Sequence, residues 1–291
     1  MQEGNLHFNM PEGLTMKRNL ETPEEINRVL YSYSSIHEGY RSLDEIGEEQ
    51  AKEYWQQGFL AVENVLNAEE ISGSIDALMD NIFAEHSNCK IQYTVPKETL
   101  KTNREKELAV RKVYDFVDHS EVLRAIAYHP DIVAFLEKLM GEKPKLIQDM
   151  ALLKPPQGGG EKPWHQDMAY GVLTYDKPVV GVWIALDEAG VDNGCMQVIP
   201  RSHMDGGIPH YAVRDWQICD TNVPVERNVI VPLKPGGMLF FHGQLVHGTA
   251  YNFSDKKRRA LQFHYAPESA ERVSPKEYKR MYTNEMSGAE C

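Results

Sequence analysis

The chain has few cysteines, no long apolar run and no excess of basic charge. None of its four cysteines pairs in a CxxC motif, which argues against a structural zinc site or a disulfide framework and favours a reducing cytoplasm. No run of about eighteen or more apolar residues is present, so we expect neither a membrane span nor a membrane partner. The net charge of −12 argues against general nucleic-acid binding, which needs a basic surface.

The first residues, "MQEGNLHFNM", lack a basic start followed by an apolar stretch, so the sequence predicts no secretory signal. Internal repeats of fixed period are also missing. Residues 1–41 are polar and weakly patterned, and we expect an N-terminal arm with one short helix around "PEEINRVLYSYSSI". Residues 42–291 are expected to form a single domain, which is long enough to bury a sizeable core.

Helical patterns come first in this domain. An amphipathic helix should end at Gly58, before a short strand at residues 59–62, and Asn67 should cap the next helix. Residues 120–140 predict two helical pieces separated by Pro130, because proline is poorly tolerated inside a helix. Residues 87–118 are mixed, and we expect them to be rich in loops.

Short β-rich runs separated by Gly, Pro, Asn and Asp follow Gly141. Many short strands with turn signals are typical of a sandwich, jelly roll or barrel. Because the helices precede the strands instead of alternating with them, a parallel βαβ sheet is disfavoured. The sequence therefore predicts a mainly β fold with flanking α-helices packed on a jelly-roll core.

Two H-x-D motifs are present, and such a motif alone is weak evidence for a metal site. In "PWHQDM", His165 and Asp167 would point to the same face if the segment is extended. The second pair, His203 and Asp205, lies in "PRSHMDGGIPH", where prolines and glycines indicate a turn. We interpret His203 as a loop histidine.

A third metal ligand could come from "FFHGQLVHGTA". His242 and His247 are five residues apart, so on one continuous strand only one of them would share the inward face. A turn follows His247, and Arg258 then begins the next strand. If these two strands form an antiparallel pair, His247 and an arginine line one pocket, a metal ligand beside a receptor for a carboxylate. Strand alternation would point Arg259 the other way.

These residues resemble the phytanoyl-CoA dioxygenase family of Fe(II)/2-oxoglutarate oxygenases, which have a double-stranded β-helix (jelly roll) core. The resemblance is carried by "LLKPPQGGGEKPWHQDMAY", "GVWIALDEAGVDNGCMQVIPRSH" and "GGMLFFHGQLVHGTAYNFSDKKRRALQFHY". It is carried less specifically by "YWQQGFLAVENVLNAEEI". It spans roughly residues 46–268 and leaves the N-terminal arm outside.

The resemblance implies the roles of particular residues. Three of them, His165, Asp167 and His247, would hold Fe(II), a set that leaves further coordination positions open. Arg258 would bind the far carboxylate of 2-oxoglutarate, with Thr249 as a hydroxyl contact and Gln148 as a further cosubstrate contact.

The implied activity is hydroxylation, or a related oxidation, of an unactivated C–H bond with O2, as 2-oxoglutarate is converted to succinate and CO2. Halogenating relatives replace the metal carboxylate with a small residue, so Asp167 argues against halogenation. Trp164 precedes the first ligand as in the family, and it could equally be a packing aromatic.

The sequence leaves the small-molecule substrate open. Specificity is expected in loops at the barrel mouth, here residues 87–118 and 203–228. The basic segment "KETLKTNREKELAVRK" could meet an anionic substrate, although such charges more often form a solvated face. Tyr211 and Trp216 could cover an apolar substrate or pack their loop. Two other functions compete: a non-catalytic jelly-roll binding protein, and a cupin-type metal enzyme that does not use 2-oxoglutarate.

Overall fold

A computed structural model describes residues 20, 22–285 and 290–291. Residues 1–19 and 21, which belong to the predicted N-terminal arm, lie outside the described residues. The helices are α1 (Pro23–Leu30), α2 (Glu48–Gln57), α3 (Ala68–Phe83), α4 (Asn103–Ala109), α5 (Glu121–Ala127), α6 (Pro130–Met140) and α7 (Pro275–Tyr282).

The strands fall mainly after Gly141, as the turn signals indicate. In chain order they are β1 (Ser35–Ile36), β2 (Phe59–Val62), β3 (Lys90–Tyr93), β4 (Val110–Tyr114), β5 (Pro144–Lys154), β6 (Lys162–His165), β7 (Val180–Ala185), β8 (Met196–Val198), β9 (His210–Ala212), β10 (Trp216–Ile218), β11 (Val229–Val231), β12 (Met238–His242), β13 (His247–Thr249) and β14 (Arg258–Pro267).

Local signals set several helix ends as expected. Gly58 ends α2 with a φ of 87°, a left-handed conformation that favours glycine, and β2 follows at once. The side chain of Asn67 caps α3 by accepting from the backbone N–H groups of Glu69 and Glu70. Pro130 is the first residue of α6, where its missing N–H is not needed. These three predictions are confirmed.

Two sheets face each other to form the jelly roll. The larger sheet has the strand order β2-β12-β7-β14-β5-β4-β3, and the smaller has the order β1-β11-β8-β13-β6. Apolar residues of α3, α5 and α6 bury the outer face of the larger sheet, among them Leu78, Leu123 and Ile132. Trp183 and Phe241 of the larger sheet meet the smaller sheet in the interior. The predicted fold class is confirmed.

The expectation that residues 87–118 are rich in loops is confirmed only in part, because about half of them lie outside helices and strands. This segment supplies β3, α4 and β4, and β4 pairs with β5 in the larger sheet through Lys112–Leu152, Val113–Ala151 and Tyr114–Met150. Long-range pairing with β5 stabilises strands whose own sequence is too polar to show a clear alternating pattern.

The expected antiparallel pairing of β13 with β14 is wrong. β13 pairs with β6 and β8 in the smaller sheet, whereas β14 pairs with β5 and β7 in the larger sheet. The chain crosses between the sheets at residues 250–257, where Asn252 Nδ2 donates to the carbonyls of Pro155 and Lys256. His247 and Arg258 therefore approach the same cavity from two different sheets.

The described part of the N-terminal arm packs against the jelly roll. Ile26 and Leu30 of α1 are buried in one cluster with Trp164, whose Nε1 donates to the carbonyl of Leu30 at 2.8 Å. Tyr31 stacks on the Trp164 ring, and β1 pairs in parallel with β11. Trp164 is thus a packing aromatic. The boundary at residue 42, between an N-terminal arm and a single domain, remains a prediction.

Cys219 and Cys291 form a disulfide, contrary to the expectation of unpaired cysteines. The two residues are 72 positions apart, and a pairing over such a distance cannot be read from local spacing. Cys89 and Cys195 are free and buried. In the described residues, no helix combines the length and apolar character needed to cross a bilayer.

Candidate metal and cosubstrate site

His165, Asp167 and His247 converge in the interior between the two sheets. His165 ends β6 and lies opposite His247, the first residue of β13. Asp167 Oδ1 lies 3.1 Å from His165 Nε2 and 3.6 Å from His247 Nε2. All three side chains are at most 5% exposed, and their ligand atoms lie within 4.8 Å of one another.

Backbone geometry brings Asp167 to this point in an unexpected way. Gln166 is extended, but Asp167 begins a short 3-10 turn instead of continuing the strand. Gln166 anchors the bend, because its side chain donates to the carbonyls of Gly206 and Gln244 and accepts from the Ile208 N–H. The side chains of His165 and Asp167 therefore meet although the segment is only partly extended.

The other candidate histidines lie elsewhere. His242 ends β12 in the larger sheet, and a turn separates it from His247, so the two are not on one continuous strand. Its ring lies 4.9 Å from the ring of His203. His203 occupies a short 3-10 helix, as a loop interpretation allows, and its Nε2 bonds to the carbonyl of Trp55.

The protonation of the two converging histidines follows from their partners. Nδ1 of His165 bonds to the Pro163 carbonyl and Nδ1 of His247 to the Leu245 carbonyl, each at 2.8 Å. Because a carbonyl only accepts, each Nδ1 carries the hydrogen and each Nε2 presents a lone pair. Burial lowers the pKa of His165 to about 3 and also lowers that of His247, which favours neutral rings.

Three acceptor atoms therefore face one point: two imidazole nitrogens and a carboxylate oxygen. Burial opposes ionisation of Asp167, but the hydrogen bond from His264 holds its pKa well below the usual range. Such an arrangement of lone pairs is unfavourable unless a cation lies between them. Two neutral histidines and one carboxylate are a donor set that suits a divalent transition metal.

Two residues of β14 that the sequence analysis missed hold the other oxygen of Asp167. His264 Nε2 lies 2.7 Å from Oδ2, and Gln262 Nε2 donates to the same oxygen at 3.0 Å. Both follow Arg258 at even spacing along the strand, and that alternation is the signal that could have placed them on its face.

Arg258 is a buried cation without an acid partner among the described residues. It is 2% exposed, its Nε has no hydrogen bond there, and its Nη1 makes only a long 3.4 Å contact with the Leu152 carbonyl. The guanidinium lies over the Trp183 ring, 5.4 Å from the centroid, and burial lowers its pKa to about 10. Leaving such a charge unpaired is costly, which points to an anionic ligand.

Thr249 and Gln148 accompany Arg258. Thr249 Oγ1 and Gln148 Oε1 are buried without hydrogen-bond partners in the described part, and both side chains line the same cavity as Arg258. Arg259 points away and donates to both carboxylate oxygens of Asp187, at 2.7 and 2.8 Å. Strand alternation thus separates the two adjacent arginines as expected.

One cavity joins the converging triad to these polar groups. It contains about 840 Å³ of empty space, part of it open to solvent, and Tyr114, Met150 and Leu173 contribute apolar walls. Arg111 and Lys112 also line it, so these two residues of the basic segment are not simply a solvated face. Lys97, Lys101 and Arg104 of the same segment are exposed.

The loop aromatics pack the hairpin beside the cavity. Trp216 Nε1 donates to the Ala169 carbonyl at 2.9 Å, and its ring stacks on His210. Tyr211 pairs with Gln217 in the same hairpin. Neither aromatic belongs to the cavity lining.

Comparison with known proteins gives a consistent picture. The family model described as "Phytanoyl-CoA dioxygenase (PhyH)" matches residues 54–260. Phytanoyl-CoA dioxygenase domain-containing protein 1 of Rattus norvegicus is 33% identical over 157 residues, which cover 50% of this chain and 53% of that protein. The chain thus matches about half the length of this relative. The peroxisomal phytanoyl-CoA dioxygenase of the same organism is 25% identical, covering 78% of this chain and 70% of that protein.

Solved structures agree on the fold. An epimerase of nogalamycin biosynthesis, solved with Fe3+, alpha-ketoglutarate and nogalamycin RO, matches with a TM-score of 0.60 at 25% identity. The match covers 78% of this chain and 86% of the epimerase. The non-heme alpha-ketoglutarate-dependent carbocyclase of the same biosynthesis matches with a TM-score of 0.62 at 22% identity, covering 80% of this chain and 88% of that one.

Proposed function

This chain belongs to the phytanoyl-CoA dioxygenase family, and from that premise we propose that it is a non-haem Fe(II)/2-oxoglutarate-dependent oxygenase that hydroxylates a small molecule. One observation carries the proposal. A buried arginine without an acid partner in the described chain, Arg258, lines the same cavity as three converging metal-type donors. A ligand that bears a carboxylate and can also reach a metal satisfies both needs.

The chain's own groups fit the cofactors. His165, Asp167 and His247 would hold Fe(II), and Arg258 would pair with the far carboxylate of 2-oxoglutarate. Thr249 and Gln148, whose buried polar atoms lack partners in the described residues, would bond to the same cosubstrate. When bound, the metal and cosubstrate supply O2 activation, with conversion of 2-oxoglutarate to succinate and CO2 and oxidation of a substrate C–H bond.

The protein contributes orientation and exclusion of water. The carbonyls of Pro163 and Leu245 fix the rings of His165 and His247 so that both Nε2 atoms turn to one point. Trp183 lies beside the Arg258 guanidinium and is fully buried, so a carboxylate bound there would be shielded from water. A charged hydrogen bond in such a site contributes both affinity and direction.

Hydroxylation, or a related oxidation, is the outcome that Asp167 supports. A carboxylate in the donor set fills the position that halogenating relatives leave for chloride, and here it is buried and held from behind by two side chains. The competing functions fit less well. A non-catalytic jelly-roll protein needs no complete donor set, and a cupin-type enzyme without 2-oxoglutarate leaves the partner of Arg258 unexplained.

Succinate formation tests the proposal directly. Purified protein with Fe(II), ascorbate, O2 and 2-oxoglutarate is expected to form succinate, including slow turnover without substrate. Asp167→Ala and His247→Ala should abolish it, whereas His242→Gln, a buried histidine outside the donor set, should retain it. Full turnover in either of the first two variants would overturn the assignment.

We also propose a cytoplasmic location, because two of the four cysteines, Cys89 and Cys195, are free thiols. Thiol systems of that compartment oppose disulfides, so the Cys219–Cys291 bond would be largely reduced there. Trapping of free thiols in intact cells, followed by mass analysis of Cys219, tests this location.

A further inference from the structure

Three cations lie near one another in the cavity lining, and two of them bind the same carboxylate. Arg111 Nη2 and Lys162 Nζ each lie 2.9 Å from the same oxygen of Asp215. The second oxygen of Asp215 accepts from the backbone N–H of Trp216. Lys112, the next residue after Arg111, lines the cavity and has no acid partner in the described part of the chain. Glu161, which also lines the cavity, is paired with Arg214 at 2.5 Å, so Asp215 is the acid that faces these three cations.

Burial makes this surplus of charge significant. The side chain of Lys162 is 18% exposed and that of Arg111 37%. Burial, together with Lys162 and Arg111, lowers the pKa of Lys112 to about 8. Crowding of like charges in a partly buried site is unfavourable, and it occurs here in a chain of net charge −12.

The cofactors do not remove the surplus. A ferrous ion and Arg258 together balance Asp167 and the two carboxylates of 2-oxoglutarate. Lys154, a further buried lysine of the lining, directs its Nζ to the carbonyls of Gly160 and Ala250, each at 2.5 Å. The positive charge of Arg111, Lys112 and Lys162 is therefore available to another ligand.

We infer that the primary substrate carries an anionic group, a carboxylate or a phosphate, which Arg111 binds at the cavity mouth while the apolar body lies along Tyr114, Met150 and Leu173. Only Nη2 of Arg111 is bonded to a side chain in the described residues, which leaves its other N–H groups for the ligand. Lys112 and Lys162 add to the positive potential. This inference rests on the proposed function for the position of the reacting bond, but the binding of the anion can be measured without turnover.

Matched eight-carbon probes test the inference. Octanoate, octyl phosphate and octanol are titrated calorimetrically into the protein loaded with Fe(II) and 2-oxoglutarate without O2, so that the cosubstrate occupies Arg258. A charged hydrogen bond predicts that at least one anionic probe binds about ten- to a hundredfold more tightly than octanol. Preference for octanoate or for octyl phosphate assigns the group as carboxylate or phosphate.

Two variants with opposite expected effects on anion binding distinguish recognition of the anion from a loss of structure. Arg111→Gln should remove the advantage of the anionic probe, whereas Asp215→Asn, which frees two cations, should increase it. If Arg111 and Asp215 only stabilise the structure, both variants should bind the anionic probe more weakly than the wild type. Arg104→Gln, an exposed arginine of the same basic segment, is the matched control and should change nothing.

Three results would overturn the inference: equal binding of octanol and both anions, no binding of any probe, or weaker anion binding in Asp215→Asn. If only the proposed function is wrong, the results differ from these three. The anionic probes would still bind more tightly than octanol, but no succinate would form from 2-oxoglutarate.

Discussion

The Nε2 atom of His264 lies 2.7 Å from Asp167 Oδ2, on the carboxylate whose other oxygen faces His165 and His247. An ionised carboxylate only accepts, so His264 donates from Nε2. Gln262 donates to the same oxygen. Asp167 is thereby fixed with Oδ2 occupied and Oδ1 free, which suits binding of a metal through a single oxygen.

Loss of these donors should weaken metal binding. We expect His264→Leu and Gln262→Leu each to raise the dissociation constant for Co(II) by about tenfold or more, as is usual when a partner of a ligating group is removed. Absorption titration with Co(II) measures this, and the shape of the visible band reports on ligand geometry.

His264→Gln is the conservative variant, because its amide can still donate a hydrogen bond to Asp167. It should restore most of the metal affinity that His264→Leu loses. Equal loss in both variants, or an unchanged Co(II) affinity in His264→Leu, would contradict a positioning role.

The two adjacent arginines should have separable effects. Arg258→Gln is expected to raise the KM for 2-oxoglutarate by about ten- to a hundredfold, since a charged hydrogen bond is lost. Arg259→Gln removes the ion pair with Asp187 and should lower the melting temperature without changing that KM. Succinate assays over a range of 2-oxoglutarate concentrations, with thermal melts beside them, measure both. A similar KM in the two variants would contradict the assignment.

Local chemistry made part of this fold predictable. A glycine at 58, a capping asparagine at 67 and a proline at 130 act within one turn of the chain, so the sequence carries their whole signal. The alternation of Arg258 and Arg259 is equally local. The convergence of His165, Asp167 and His247 was expected from spacing and family resemblance, although Asp167 reaches it through a turn.

Long-range pairing was not predictable in the same way. The sequence of residues 247–267 does not indicate that β14 pairs with β5 and β7 instead of with β13. The role of β4 also depends on its partner, because Lys112 reaches the cavity only once β4 pairs with β5. Cys219 and Cys291 meet through the fold of the 72 residues between them.

Lys112 should make stability depend on pH in the ligand-free protein. Burial lowers its pKa to about 8 in the folded state, below the value of 10.5 for a free lysine. The folded chain thus binds fewer protons than the unfolded chain between about pH 8 and 10.5, and stability from this group rises with pH across that window.

Lys112→Met removes the charge and keeps the apolar stem. We expect it to stabilise the ligand-free protein by roughly 1–3 kcal/mol at pH 7, with the gain shrinking above pH 8 and vanishing near pH 10.5. Urea unfolding at pH 7 and pH 10 measures the difference. A gain that is the same at both pH values would show that packing, and not charge, is responsible.

The Cys219–Cys291 bond should stabilise the protein through its unfolded state. It links residues 72 positions apart, and closing a loop of that length lowers the entropy of the unfolded chain, worth about 2–4 kcal/mol. Cys291→Ser should therefore melt at a lower temperature than the oxidised wild type. Dithiothreitol should lower the melting temperature of the wild type to that of the variant. It should leave the melting temperature of the variant unchanged, because Cys89 and Cys195 are free and buried. Equal melting temperatures of oxidised wild type and Cys291→Ser would mean that the bond adds no stability.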